Sequence, residues 1–456
     1  MKVDSNHPPP SPVMMFMLFF MILTISIFTS SPSLSSSSSS SLSASSSSCF
    51  PYVPVAYASS SPSSWLPSIK RRRSNLKKNK LAFYVSKRGG GGGGNDDDNN
   101  NTSNDILVVG SLNADTFLPV SRLPTEGENV CIPSNVKPTI DVPGGKGCTQ
   151  AIACSSLLSN NKQSVVCFLG QFGNDNAASI LKEALQTSNV QLSNYCTTCV
   201  NVPSGRGYVF RSIVDGTVSA VVSGGSNLLG WAGWRHLIST NGDDDYKELQ
   251  QPSSEEEEGE IMTQSNLHQL FENKSCILLQ REIPEFVNEI ILREAKKYNK
   301  DIIILQDVGG DDRPIKSTTL QYCDYVIPNQ SELKRLVHSF LQQEEGENTV
   351  QDGDDDGTEE EQVIKYANIL QKYGANNVLV TLGSKGSILV PAANGDKDVI
   401  YQKACALPPN TSIVDETGAG DCYRAAFAVA LSEKNKTLRE CMKFASAAGA
   451  LAVTKE

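Results

Sequence analysis

From Asp105 onward one pattern repeats: a short, continuous apolar run ends at a small or polar residue, and a longer stretch with helical spacing follows. The runs are Ile106–Val109, Val165–Leu169, Cys276–Leu279, Ile302–Leu305, Tyr325–Ile327 and Val378–Leu382. A strand with no polar alternation must be covered on both faces, as in parallel sheets flanked by helices. Helical stretches fall at 176–188, 285–299, 330–342 and 362–374. This alternation predicts an α/β fold with a doubly wound, mostly parallel sheet. Two segments break it. Residues 116–142, and 205–223 with Tyr208-Val209-Phe210 and Val218–Val222 around Asp215-Gly216, predict antiparallel strands of a small accessory sheet.

Charge separates the N-terminal segment from this body. Residues 1–94 carry a formal charge of +9 and residues 95–456 one of −19. Met14–Phe28 is an apolar run, short for the ~20 residues of a membrane span. A Ser-rich tract at 35–48 follows, then the basic cluster Lys70, Arg71, Arg72, Arg73, Lys77, Lys78 and Lys80, then a Gly/Asp/Asn tract at 89–101. Richness in Ser and Arg/Lys with one acid, Asp4, predicts an organelle transit peptide and linker over 1–104. A secretory leader is the rival, because the apolar run would serve as its core, and an incorrect gene start giving a cytoplasmic protein is the third. Over 105–456 most acidity is local: 241–264 holds nine acids and 344–361 ten, which predicts two disordered surface loops. The near-neutral remainder excludes a basic nucleic-acid face, and no stable membrane association is expected. Four scattered histidines (His7, His236, His268, His338) leave little for a His-rich zinc site, and the twelve cysteines read as reduced thiols. Cys196-Thr197-Thr198-Cys199 lacks a second pair, so two small residues on a strand or loop explain it better than zinc or redox chemistry.

The residues able to do chemistry sit beside the strand ends. Asp415-Glu416-Thr417-Gly418-Ala419-Gly420-Asp421 precedes the helix-forming run Ala425–Leu431. A Gly-Ala-Gly turn opening a helix aims free amides at an anion, and Asp421 beside it suits a general base; an Asp that only stabilises the helix start is the alternative. Gly144-Gly145-Lys146-Gly147-Cys148-Thr149-Gln150 is not a Walker loop, since Gly147 follows the Lys; it suits close approach to a polyol, or is merely a turn with an exposed Lys. Asn113 and Asp115 after the first strand, and Glu282 after Cys276–Gln280, face the crevice of an open α/β sheet, or cap turns. Asn329 and Glu332 would hold a hydrated Mg²⁺, or Asn329 caps a helix.

In order, these segments resemble the ribokinase branch of the ribokinase/PfkB sugar-kinase family. The resemblance is carried by Val109–Asp115, Gly144–Gln150, Gly170-Gln171-Phe172-Gly173-Asn174-Asp175, Gln280-Arg281-Glu282, Pro328-Asn329-Gln330-Ser331-Glu332, Thr381-Leu382-Gly383-Ser384-Lys385-Gly386 and Asp415–Asp421. Leu278–Pro284 followed by Asp307-Val308-Gly309-Gly310 is most similar to plant ribokinases, which fits a chloroplast leader. The resemblance implies a three-layer fold whose accessory strands form a lid, and transfer of phosphate from ATP to D-ribose, giving D-ribose 5-phosphate. It makes Asp421 the base and the Gly418, Ala419 and Gly420 amides the anion hole. Asn113, Asp115, Gly145, Lys146, Thr149 and Glu282 would bind sugar, and Asn329, Thr381, Gly383 and Gly420 the nucleotide. Mg²⁺ would lie at Asn329 and Glu332, and K⁺ at Asp415, Thr417 and Ala452. A homodimer through the lid is implied as well.

Three departures stand out. Thr149 replaces the family's usual Asn, and Glu416 adds a charge to an Asp-Thr-Thr-Gly pattern. Family members also continue past the equivalent of Ala452-Val453-Thr454, whereas this sequence ends at Glu456, which predicts a truncated cation and adenine site. A kinase of another sugar or nucleoside, and a catalytically silent kinase-like partner in plastids, are the competing readings. An NAD-dependent oxidoreductase is disfavoured, since no Gly-x-Gly-x-x-Gly follows the first strand.

Overall fold

The computed structural model describes residues 104–158, 164–214, 217–238, 261–310, 313–345, 357–392, 398–407, 409 and 411–454. Residues 1–103, expected as leader and linker, and Asp215-Gly216, expected between two strands, lie outside the described residues.

Nine strands form the large sheet: β1 (Asp105–Val109), β4 (Val166–Leu169), β5 (Gln191–Leu192), β8 (Lys274–Leu279), β9 (Ile303–Asp307), β10 (Tyr325–Ile327), β11 (Asn377–Thr381), β12 (Ser387–Val390) and β13 (Ile400–Gln402). Their order is β13-β12-β11-β10-β9-β8-β1-β4-β5; β5 through β11 run parallel, and β12 and β13 are antiparallel at one edge. The continuous apolar runs have a simple cause. Along β1, Leu107 and Val109 join one core while Ile106 and Val108 join another, so both faces are covered.

The helices Gln264–Phe271, Glu285–Tyr298, Gln330–Glu345 and Glu359–Lys372 cover the first face, and Lys146–Leu158, Asn176–Thr187, Ala419–Ser432 and Leu438–Ala452 cover the second. The chain winds outward from β1 through β4 to β5, returns to β8 at the other side of β1, and winds outward again. The reversal between β1 and β8 is a topological switch point, where ligands bind in open α/β sheets.

A separate four-stranded sheet has the order β3-β2-β6-β7, formed by β2 (Asn113–Val120), β3 (Thr139–Gly144), β6 (Arg206–Ser212) and β7 (Val218–Ser223). It corrects the expectation twice. The pairs β2–β3 and β6–β7 are antiparallel, but β2 and β6 pair in parallel, a contact between distant segments that no local turn signal specifies. The sheet also begins at Asn113 rather than 116, because Asn113 bridges Gly205 and Ala114 donates to the Gly205 carbonyl.

The acidic inserts are ordered at their described ends. Met262 is buried and Thr263 caps the next helix, while Thr358 and Glu361 form a reciprocal capping box with Glu359, Glu360 and Glu361 in the first turn. Acids there face the positive end of the helix, which is why this end of the second insert is not a loop. Residues 241–260 and 346–356 lie outside the described residues.

Candidate functional site

The helix Lys146–Leu158 starts directly over the switch point. Its Gly147 is so close to β1 that a Cβ would stand 2.6 Å from the Ser111 nitrogen, so only glycine permits this approach. Glu282, after β8, spans the junction: its Oε2 accepts from Ser111 Oγ at 2.5 Å and from the Lys146 amide at 3.0 Å. Burial raises the Glu282 carboxyl above its usual range against the pull of the Lys146 ammonium and the Ser111 hydroxyl.

Beneath Glu282 lies a buried charge network. Asp307, the last residue of β9, pairs through Oδ2 with Lys146 Nζ at 3.2 Å and through Oδ1 with Arg424 Nη2 at 3.2 Å. Burial alone would raise the Asp307 carboxyl, but the Arg424 and Lys146 cations hold it below its usual value. Burial likewise opposes the Lys146 ammonium, and Asp307, Asp421 and Glu282 reverse that and raise its pKa. Gln150, one helical turn beyond Lys146, donates through Nε2 to Asp307 Oδ2 at 3.0 Å and to Asp421 Oδ1 at 2.9 Å. Gln280 donates to Gln150 Oε1 at 2.8 Å and so fixes which end of the amide faces the acids.

Asp421 stands in the first turn of Ala419–Ser432, with its Oδ1 3.7 Å from Lys146 Nζ. Gly418 caps that helix at φ +74°, a left-handed conformation suited to glycine, and the Thr149 methyl lies where a Gly418 side chain would approach. The anion-hole expectation needs one correction. The Ala419 amide donates back to the Glu416 carbonyl at 3.3 Å, so Gly418, Gly420 and Asp421 are the amides left to the helix mouth.

On the small sheet, Asp115 packs against two glycines. A Cβ on Gly144 would fall 2.0 Å, and one on Gly207 2.4 Å, from its carboxylate oxygens. Burial and then the Glu282 charge push the Asp115 carboxyl up to about 6, against the Gly207 amide. Asn113 is buried, and its Oδ1 accepts from Asn227 Nδ2 at 2.8 Å. Gly145, at φ +85°, joins β3 to the Lys146 helix.

The remaining expected residues lie at the ends of β10 and β11. Asn329 bridges Thr381, whose amide donates to the Pro328 carbonyl, and Gly383 turns the chain at φ +57°. Asn329 and Glu332 cap each other reciprocally, at 2.7 and 2.8 Å, so the capping alternative holds for Asn329 Oδ1 and Glu332 Oε2. Glu332 Oε1 lies outside that pair, near Gly309 and Lys146. One carboxylate oxygen therefore fits a hydrated Mg²⁺, which keeps most of its waters. Arg424 links this region to the first, donating to the Ile327 carbonyl at 3.1 and 3.2 Å and pairing with Glu332 Oε2 at 3.5 Å.

At the expected K⁺ residues Asp415 already has partners: Oδ1 accepts from the Thr417 amide at 2.8 Å and Oδ2 lies 3.7 Å from Arg211 Nη1, while the Val453 carbonyl beyond Ala452 takes the Val414 and Asp415 amides. Burial pushes the Cys196 thiol up to about 12, away from the thiolate form, and no group of three metal-ligating side chains occurs among the described residues. No described helix is long and apolar enough to cross a membrane.

Asp307, Arg424, Gln150 and Ser111 escaped the sequence reading as site residues. Two left a signal. Asp307 ends an apolar strand just as Glu282 follows one, and Arg424 is the lone cation in the otherwise apolar run Cys422–Leu431.

The pfkB family carbohydrate kinase profile matches residues 237–456. A ribokinase from Arabidopsis thaliana is 33% identical over 349 residues, which is 76% of this chain and 76% of that protein. One from Dictyostelium discoideum is 26% identical over 355 residues, covering 77% and 95%. Among solved structures, Arabidopsis thaliana ribokinase complexed with ribose and ATP superposes with a TM-score of 0.58 at 32% identity, covering 78% of this chain and 94% of that one. Thermotoga maritima ribokinase gives 0.54 at 26% identity, covering 77% and 93%.

Proposed function

Since the chain belongs to the pfkB family of carbohydrate kinases and is a phosphotransferase, we propose that it transfers the γ-phosphoryl group of ATP to the 5-hydroxyl of D-ribose. The observation that carries this reading is Asp421: a carboxylate at a helix mouth, held by Gln150 Nε2 at 2.9 Å and facing Lys146 at 3.7 Å. In this scheme Asp421 takes the proton of the attacking hydroxyl as its oxygen approaches phosphorus. The Gly418 and Gly420 amides at the positive helix end stabilise charge on the transferred group, and positioning supplies most of the rest. Asn113, Asp115, Gly145 and Glu282 receive the sugar hydroxyls, with Thr149 beside the turn. Lys146 spans the gap between sugar and phosphate. Thr381, Gly383 and Asn329 line the nucleotide side. Mg²⁺ at Glu332, with Asn329 beside it, would neutralise phosphate charge when bound. The small sheet carries Asp115 and serves as the lid that keeps water from ATP.

Ribose as acceptor is supported by the two plant comparisons and by the close-set Asp115, Glu282 and Lys146. The test is ADP release by the purified protein with Mg-ATP and D-ribose, 5-deoxyribose, a nucleoside or no sugar. Ribose alone supports turnover on this account. Equal ADP release with 5-deoxyribose, or preference for the nucleoside, would refute it. Exposed Val221, Val222 and Ile213 support a homodimer through the lid, to be checked by light scattering. The basic, Ser-rich N-terminal segment supports chloroplast import, and a fluorescent fusion of residues 1–104 entering only the secretory pathway would reject it.

A further inference from the structure

We infer that Arg211 is the resident cation of the loop leading into the Gly418 turn, so that the lid itself, and not a bound alkali ion, sets the phosphate end of the site. The inference rests on the kinase reading above and concerns what neutralises and holds residues 414–418.

Arg211 belongs to β6 of the lid, in register with Pro119 of β2. Its Nη2 donates to the Val414 carbonyl at 2.9 Å, and its Nη1 lies 3.7 Å from Asp415 Oδ2. A guanidinium suits this double task, because its donors form a rigid fork and it gives up water more readily than an ammonium. Asp415 Oδ2, the oxygen an alkali ion would take from this loop, already faces the Arg211 cation. Asp415 Oδ1 takes the Thr417 amide, and the Val453 carbonyl takes two backbone amides. An ion seeking Asp415 Oδ2 would also meet a like charge. The same strand pair that carries Asp115 into the sugar side thus fastens the segment that ends at the anion turn and Asp421. Lid closure over a sugar and ordering of that turn become one event. Arg211 acts through the loop, so it is a positioning residue.

The bland alternative is a partly exposed ion pair with little effect, since the Arg211 side chain keeps 34% of its surface. Ribose-dependent rates and thermal midpoints of the purified full-length chain in KCl, NaCl and tetramethylammonium chloride of equal ionic strength separate the two. Wild-type rates should agree within about twofold across the salts, which differ in ion identity and not in screening. Arg211→Ala in tetramethylammonium should lose about tenfold in kcat, the scale of a misplaced loop, with less change in the KM for ATP. Added guanidinium or K⁺ should restore much of that loss, and Arg211→Lys should retain more activity than Arg211→Ala.

Activation of wild type by K⁺ beyond that range overturns the inference, as does an Arg211→Ala protein equal to wild type in every salt. If no sugar is turned over, the ribose reading has failed separately, and the thermal midpoints still decide this one. A K⁺-specific rise confined to Arg211→Ala supports it. A rise in wild type, or the same response in both proteins, overturns it.

Discussion

The floor of the site and its lid are built on opposite principles. On the floor, Asp307 and Arg424 are fully buried charges, each satisfied by fixed partners at the ends of strands that are themselves buried on both faces. In the lid, all six residues of β7 are exposed, among them the valines Val218, Val221 and Val222. The floor is thus intolerant of altered charge, whereas the outer strand of the lid meets solvent along its whole length. A phosphoryl-transfer site needs both: preorganised charge that does not relax, and a cover that admits substrate.

Substitutions should separate the two regions by size of effect. Arg424→Met strands Asp307 in the core with Lys146 as its only cation, and should cost about 3–5 kcal/mol in denaturant unfolding, the range for a broken buried pair. A loss below 1 kcal/mol would break the contrast. Gly147→Ala drives a methyl to 2.6 Å from the Ser111 nitrogen and should cost about 1–3 kcal/mol, read in the same titration.

Asp115→Asn sits at the border and should gain stability. With its folded carboxyl raised to about 6, Asp115 keeps a proton that the unfolded chain has already lost at that pH. Its contribution to stability therefore falls as pH rises from about 4 to 6 and stays low above that. The Asn variant should lack this slope and be more stable by about 1–2 kcal/mol at neutral pH, after allowance for partial solvent access. It should at the same time raise the KM for ribose, because a buried acceptor has been lost. Val221→Thr on the lid exterior should change stability by less than ~0.5 kcal/mol. A larger loss would mean that the exposed valines are covered, and a concentration-dependent melting point would identify a second copy as the cover.

Legibility in sequence followed the same divide. Strands such as Cys276–Leu279 are readable because burial on both faces leaves an unbroken apolar run. The start of β2 is not, since Asn113 and Asp115 look like turn caps until Gly144, Gly205 and Gly207 pack against them. The parallel pairing of β2 with β6 joins segments about 90 residues apart and has no local signature. Individual candidates, Asp421, Lys146 and Glu282, were readable from glycine turns and strand ends. Their interlock through Gln150, Asp307 and Arg424 was not, because a charge network is a property of packed elements rather than of spacing. The place of Arg211 was hidden for a related reason: nothing near Asp415 in the sequence announces that Arg211 will stand beside it.

The central claim is that Asp421 serves as the base on a floor that stays folded without it. Comparing ribose-dependent kcat of Asp421→Asn with wild type, alongside both melting curves, tests this most directly. A fall in kcat of at least ~10²-fold with an unchanged melting point is the predicted result. Retained turnover in a folded variant would contradict the account.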